Sequence, residues 1–214
     1  MSRAPFITFE GSEGCGKSTQ VKRLAARLES LAIPFLVTRE PGGTPIGETI
    51  RDLLQFNAAA ATMTAETELL LFEASRAQLV REVICPALDR GVIVISDRFY
   101  DSTTVYQGAA RKLNRAMVEQ LNAFAVGDCR PGLTFVLDVD LATAQSRMNK
   151  TARRADRMEQ QPKEFYEAVR VAYRELAKGE PNRVMLIDGG QDADKIDNEI
   201  WKTLAERFPQ FQKS

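Results

Sequence analysis

The stretch FEGSEGCGKST, Phe9 to Thr19, limits what this chain can fold into more than any other. Gly11, Gly16, Lys17 and Ser18 fit the pattern G-x-x-x-x-G-K-[ST], a turn whose backbone N–H groups cradle phosphate. Such a turn needs a strand to launch it and a helix whose N-terminus can meet an anion. Both flanks qualify: PFITF is a short apolar run, and Val21, Leu24, Leu28 and Leu31 share one helical face. A phosphate site between a strand and a helix is therefore expected, built from Gly11, Ser12, Glu13, Gly14, Cys15, Gly16, Lys17, Ser18 and Thr19 as the ATP-binding turn. Lys17 would reach the β and γ phosphates, and the Ser18 hydroxyl would take a position on Mg²⁺.

Short apolar runs rich in Val, Ile and Phe recur at 5–11, 34–40, 91–98, 133–140 and 183–189. They read as buried strands. Between them lie helical patterns at 66–85, where Pro86 is expected to end the helix, and at 113–126, 140–150, 162–178 and 192–207. This alternation predicts an α/β fold with three layers: a five-stranded parallel sheet covered by helices on both faces. Ligands of such sheets bind beyond the carboxyl ends of the strands. Polar residues follow every run there: Glu10, then Arg39-Glu40-Pro41-Gly42-Gly43, Asp97-Arg98, Asp138 with Asp140, and Asp188.

At 214 residues a single domain over 1–214 is expected. Basic and acidic residues balance at 29 each, which gives no overall bias toward nucleic acid or an anionic membrane. No apolar run has the length of a membrane span, and PFITFEG follows no leader-like stretch, so a cytoplasmic protein is expected. Cys15, Cys85 and Cys129 are odd in number and widely spaced, which argues against a disulfide framework and a zinc site. Histidine is absent altogether, so the commonest general base is missing. Chemistry must rest on carboxylates, Lys, Arg and Mg²⁺.

A phosphate cradle serves GTPases, motor ATPases and kinases alike. The dipeptide Asn149-Lys150 lacks the following aspartate of a guanine-reading element, which argues against a GTPase. A motor ATPase would carry a water-activating glutamate after the strand aspartate, whereas Asp97 is followed by Arg98, a residue suited to a second phosphate. Within 146–160 lies a basic, aperiodic segment with Arg147, Lys150, Arg153, Arg154 and Arg157. As a lid it would close over ATP, exclude water and stabilise charge on the transferred phosphoryl group. The plainer reading is a solvated charged loop.

Jointly, six motifs in order reach a family. E-G-x-E-G-x-G-K-S-T at 10–19, T-R-E-P-G-G-T at 38–44, F-x-x-x-R at 72–76, D-R-F-x-D-S at 97–102, Y-Q-G at 106–108 and D-R-x-E at 156–159 resemble bacterial thymidylate kinases along nearly the whole chain. The resemblance implies transfer of the γ-phosphoryl group of ATP to dTMP by a Mg²⁺-dependent homodimer. It implies that Phe72 stacks on thymine, that Arg76 hydrogen-bonds the base edge, and that Arg98 and Arg39 hold the dTMP phosphate. Asp97 and Glu13, joined by Glu159, become candidates for organising Mg²⁺, and Tyr106 crowds the sugar 2′ position beside Ser102, Thr103 and Gln107.

A nucleoside monophosphate already presents an anionic oxygen, so no base is required and the absent histidine is explained. Positive charge has to come instead from Lys17, Arg98, Mg²⁺ and a lid arginine. The interior of the Gly-rich turn holds no arginine, which leaves Arg153 or Arg154 for that role. Two alternatives stay open: another nucleotide or deoxynucleoside kinase of the same architecture, of which a nucleoside kinase would need a carboxylate base such as Glu10 for its neutral hydroxyl, and a nucleotide-dependent module without transferase activity.

Overall fold

Residues 3–149, 157 and 161–212 are described by the structure, a computed structural model. Five parallel strands, β1 (Phe6–Glu10), β2 (Phe35–Arg39), β3 (Ile93–Asp97), β4 (Leu133–Asp138) and β5 (Val184–Asp188), form one sheet in the order β2-β3-β1-β4-β5. All five coincide with the apolar runs of the sequence. Continuous apolar strands need cover on both faces; the central β1, β3 and β4 have it, whereas the edge strands β2 and β5, expected to be buried, leave Val37 and Leu186 exposed. On one face Ile7, Phe9, Ile95 and Phe135 pack with Val21, Leu24 and Leu28 of α1 (Lys17–Ser30) and Ile200 and Leu204 of α9 (Ala193–Arg207). On the other, Phe6, Val94 and Phe99 meet Leu79 and Leu88, while Val136 meets Val169 and Tyr173 of α8 (Lys163–Gly179). Each fully buried side chain of this kind contributes about 1.5–3 kcal/mol, so the covered faces hold the sheet.

Register brings the polar strand ends level. Phe9 and Arg39 both pair with Asp97, and Asp138 pairs with Asp188. Because β1 lies between β3 and β4, the turn after Glu10 opens beside the Asp97-Arg98 turn.

Several expectations change in detail. The helix expected over 66–85 begins as α3 (Ala65–Leu79), passes through a π-helical stretch (Val80–Ile84), and continues as α4 (Cys85–Asp89). Pro86 does not end it: a widened turn relieves the clash that proline makes with a preceding carbonyl. Two helical segments escaped the periodicity reading. α2 (Pro45–Gln55) starts on Thr44, whose side chain accepts from Gly47 N, and α5 (Tyr100–Thr103) runs into a second π-helical stretch (Thr104–Ala110). The remaining helices, α6 (Arg115–Val126) and α7 (Leu141–Asn149), lie where expected.

Cysteine spacing misled in one respect. Cys85 and Cys129, with Cα atoms 6.2 Å apart, form a disulfide, and Cys15 is free and buried. The pairing joins the start of α4 to the segment after α6, elements that fold together over Phe6 and Phe99 although 44 residues separate them.

Candidate active site

The Gly-rich turn curls tightly because two of its glycines can do what other residues cannot. Gly11 has φ +131° and Gly14 φ +74°, and a Cβ at either would lie 2.5 Å from a backbone carbonyl oxygen, of Leu137 and Ala144 respectively. Lys17 is buried, and its Nζ donates to the carbonyls of Gly11 (3.0 Å) and Ser12 (2.8 Å), which holds the ammonium over the loop. Ser18 Oγ donates to Asp97 Oδ2 at 2.6 Å. A hydroxyl and a carboxylate at a helix N-terminus are hard oxygen donors of the kind Mg²⁺ takes when phosphates complete its shell.

Arg98 occupies left-handed backbone space, φ +72°, at a cost on the order of 1 kcal/mol for a non-glycine residue. Neighbours over-determine it. Arg98 N donates to Phe9 O (2.9 Å), Ser96 Oγ donates to Arg98 O (2.6 Å), and Phe99 N donates to Glu10 Oε1 (2.8 Å). Its guanidinium then lies between Glu13 Oε1 (2.7 Å), Ser102 Oγ (3.0 Å) and the Tyr106 hydroxyl (3.3 Å). Burial opposes the charge, yet Tyr106, Glu13, Tyr173 and Glu10 outweigh it and hold the Arg98 pKa above its usual value.

Glu10 is fully buried and its two oxygens are saturated. Oε1 accepts from Phe99 N and Ser102 N, and Oε2 from Ser102 Oγ (2.6 Å) and the Tyr173 hydroxyl (2.7 Å). Burial, with Asp101 adding, pushes its pKa above the ordinary carboxylate value. A carboxylate so engaged organises a turn and has no lone pair directed at a substrate hydroxyl.

One cavity of about 530 Å³ joins the two halves. Gly16, Lys17 and Ser18 line one end, and Arg39, Phe72, Ser102, Thr103, Tyr106 and Gln107 line the other, with Asp97 and Arg98 between. Its volume is that of a small-molecule site. Across the sheet end, Arg147 Nη1 donates to Gly189 O (2.9 Å) and Cys15 O (3.4 Å), walling a second hollow shared with Gln191 and Gln20.

Known proteins match this arrangement. The sequence fits the thymidylate kinase family over residues 9–200. It is 46% identical over 208 residues to the thymidylate kinase of Afipia carboxidovorans, covering 96% of this chain and 91% of that protein. Identity is also 46% over 209 residues to the enzyme of Geobacter sulfurreducens, covering 95% and 98%. The crystal structure of thymidylate kinase from Ehrlichia chaffeensis superposes with a TM-score of 0.77 at 35% identity, covering 95% of this chain and 99% of that one. The chain belongs to the thymidylate kinase family.

Of the residues expected on the acceptor side, Arg39, Phe72, Arg98, Ser102, Thr103, Tyr106 and Gln107 line the cavity and Arg76 does not. Arg76 is 1% exposed and lies behind the cavity wall: Nε and Nη2 donate to Glu40 Oε2 (2.9 and 2.6 Å), Nη1 to Glu73 Oε1 (2.5 Å) and Asn122 Oδ1 (3.2 Å). Glu40, which does line the cavity, has a pKa pushed up to about 7 by burial against the pull of Arg76. Glu13, a candidate for organising Mg²⁺, also lines the cavity and accepts from Arg98 Nη2 (2.7 Å) and from the Tyr106 hydroxyl (3.0 and 3.1 Å). Arg153, Arg154 and Glu159 lie outside the described residues. Among the described residues no group of three or more His, Cys, Asp or Glu could hold a metal ion by itself, and Ser18 and Asp97 lie hydrogen-bonded to each other beside the phosphate loop of this thymidylate kinase family member.

Sequence reasoning overlooked Glu68 and Tyr173, and it placed Glu40 at the ligand end of its strand, within the T-R-E-P motif, without giving it a role. Tyr173, within a long amphipathic helix, carried no signal.

Proposed function

We propose that this chain transfers the γ-phosphoryl group of ATP to dTMP, giving ADP and dTDP. The observation that carries the reading is the continuous cavity in which the phosphate loop and the Arg98 turn face each other. An anionic oxygen of the dTMP phosphate attacks the γ-phosphorus in line while the bond from that phosphorus to the β–γ bridging oxygen breaks. No proton has to move, in keeping with a site that lacks histidine and in which Glu10 is saturated. Lys17 and Arg98 offset the repulsion between two polyanions, and preorganised charge of this kind is where phosphoryl-transfer catalysis resides. Mg²⁺, held by the Ser18 hydroxyl and Asp97, would neutralise charge on the β and γ phosphates.

On the acceptor side, Phe72 supplies a face for the thymine ring, Arg39 and Arg98 meet the 5′-phosphate, and Tyr106, its hydroxyl fixed on Glu13, crowds the 2′ position. The hollow beside Arg147, Gly189 and Gln191 suits the adenine of ATP. The reading takes 1–214 as one domain whose lid, at about 146–160, brings Arg153 or Arg154 to the transferred group. It also takes the protein to be a cytoplasmic homodimer. No helix among the described residues is long and apolar enough to cross a membrane. α3 and α6, which pack together, leave Leu70, Met117 and Phe124 more than half exposed, an apolar face of the kind a second copy covers. Sedimentation velocity decides the oligomeric state.

Purified protein supplied with ATP, Mg²⁺ and each nucleoside monophosphate, and separately with thymidine, tests the assignment. Turnover of dTMP above dUMP and CMP is expected. Preferential use of dUMP, CMP or thymidine would sink it.

A further inference from the structure

Glu68 stands on the first turns of α3, 1% exposed, outside every role assigned above. Its Oε1 accepts from Gln107 Nε2 (2.8 Å) and Arg111 Nε (3.3 Å), and its Oε2 from Arg111 Nη2 (3.3 Å) and Arg157 Nη2 (2.5 Å). We propose that Glu68 sets the base selectivity of the acceptor site by fixing which end of the Gln107 amide faces the cavity. The proposal rests on reading that cavity as the dTMP site.

An ionised carboxylate can only accept hydrogen bonds. Burial pushes the Glu68 carboxyl up, but Gln107, Arg111 and Arg157 prevail and hold it below the ordinary carboxylate range, so at neutral pH it is ionised. Gln107 must therefore turn its NH₂ toward Glu68, which sends its carbonyl Oε1 the other way. Gln107 is itself 1% exposed and lines the cavity next to Thr103 and Phe72.

A carbonyl oxygen fixed on that wall matches a ring N–H. A 2,4-dioxopyrimidine offers one at N3, whereas a 4-aminopyrimidine offers a bare lone pair there, and a buried acceptor left facing an acceptor is strongly unfavourable. Were the amide free to turn over, its NH₂ would suit the aminopyrimidine instead. Glu68 is thus a positioning residue that acts through Gln107. Its anchorage to Arg111 and Arg157 keeps the carboxylate from swinging away with the amide.

The test compares kcat/KM for dTMP and dCMP within each preparation, a ratio unaffected by the fraction of folded protein. Turnover of dTMP by the unaltered enzyme checks the underlying reading separately. Glu68→Gln offers both donor and acceptor and lets the Gln107 amide turn, so the dTMP to dCMP ratio is expected to fall at least about tenfold, the worth of one hydrogen bond. Gln107→Met should lower the ratio similarly, and adding Glu68→Gln to it should change the ratio less than about twofold. A ratio for Glu68→Gln within about twofold of the unaltered enzyme overturns the proposal, whatever the absolute activity. Should Glu68→Gln give no soluble enzyme, Gln107→Met decides alone, and an unchanged ratio overturns it equally.

Discussion

The Tyr173 hydroxyl, on α8, donates to Glu10 Oε2 at the end of β1 across 2.7 Å and 163 residues of sequence. Through that contact, and through Ser102 at 3.1 Å, α8 is tied to the turn that carries Arg98. Hydrogen bonds to a charged group are each worth about 1.5–3 kcal/mol, so loosening this turn should cost activity through Arg98. Glu10→Gln is expected to lower kcat/KM for dTMP by about 10–100-fold, and Tyr173→Phe by less. Steady-state rates of each, alone and with Arg98→Lys, check the mechanism. If the Glu10 and Arg98 effects simply add, Glu10 does not act through Arg98.

Arg153 and Arg154, proposed above to act from a lid, should separate chemistry from binding. With no arginine inside the phosphate loop, charge on the transferred group has to be met from elsewhere, and arginine fingers contribute roughly 10³–10⁵ in rate. Replacing both Arg153 and Arg154 by alanine is expected to lower kcat by about 10³ or more while KM for dTMP moves by less than about threefold. Single-turnover kinetics with dTMP and ATP measure it. Unchanged kcat would remove both residues from the mechanism.

Arg76 makes a different kind of prediction, because it is buried with two carboxylates. Arg76→Met leaves Glu40 and Glu73 unpaired away from water, and breaking a buried ion pair from one side costs about 3–5 kcal/mol. Glu40 is already pushed up to about 7, and without Arg76 it moves higher, so the variant regains stability where Glu40 is protonated. Urea denaturation at pH 8 and pH 5.5 should show the deficit shrinking at the lower pH. A variant as stable as the parent at pH 8 would mean that Arg76 is not buried in this way.

Contrast among these residues shows what the sequence could and could not reveal. The phosphate loop, the five strands and the Asp97-Arg98 turn were legible because each is written in a short window: an apolar run, then the polar residue at its carboxyl end. Phe72 and Arg76 share a helix face as their spacing demands, yet only Phe72 reaches the cavity. What moves Arg76 behind the wall is Glu40, 36 residues away on the loop after β2, and no local pattern encodes that meeting. Glu68 with Arg157, and Cys85 with Cys129, are the same case at separations of 89 and 44. The contacts of Glu13 with Arg98 and Tyr106 were equally illegible, since Tyr106 comes from a π-helical stretch that hydrophobic periodicity does not signal.

Glu68 also predicts how stability responds to acid. Its pKa is held below the ordinary glutamate value of about 4.5 in the folded state, and a depressed carboxylate contributes stability that is full above the unfolded pKa and lost as pH falls through the folded one. The unfolded chain binds the proton first, so the loss begins near pH 4.5 and continues below it. Glu68→Gln cannot titrate. At pH 7 it should be less stable than the parent by about 1–3 kcal/mol, since Arg111 and Arg157 lose their counter-charge while keeping some access to water. On acidification below about pH 4.5 the parent should fall toward the variant, so the gap narrows as pH drops. Denaturant titrations of both proteins across that range measure the difference. A gap that is constant with pH would mean that the Glu68 carboxyl titrates alike in folded and unfolded chains, and that its arginine partners do not hold it ionised.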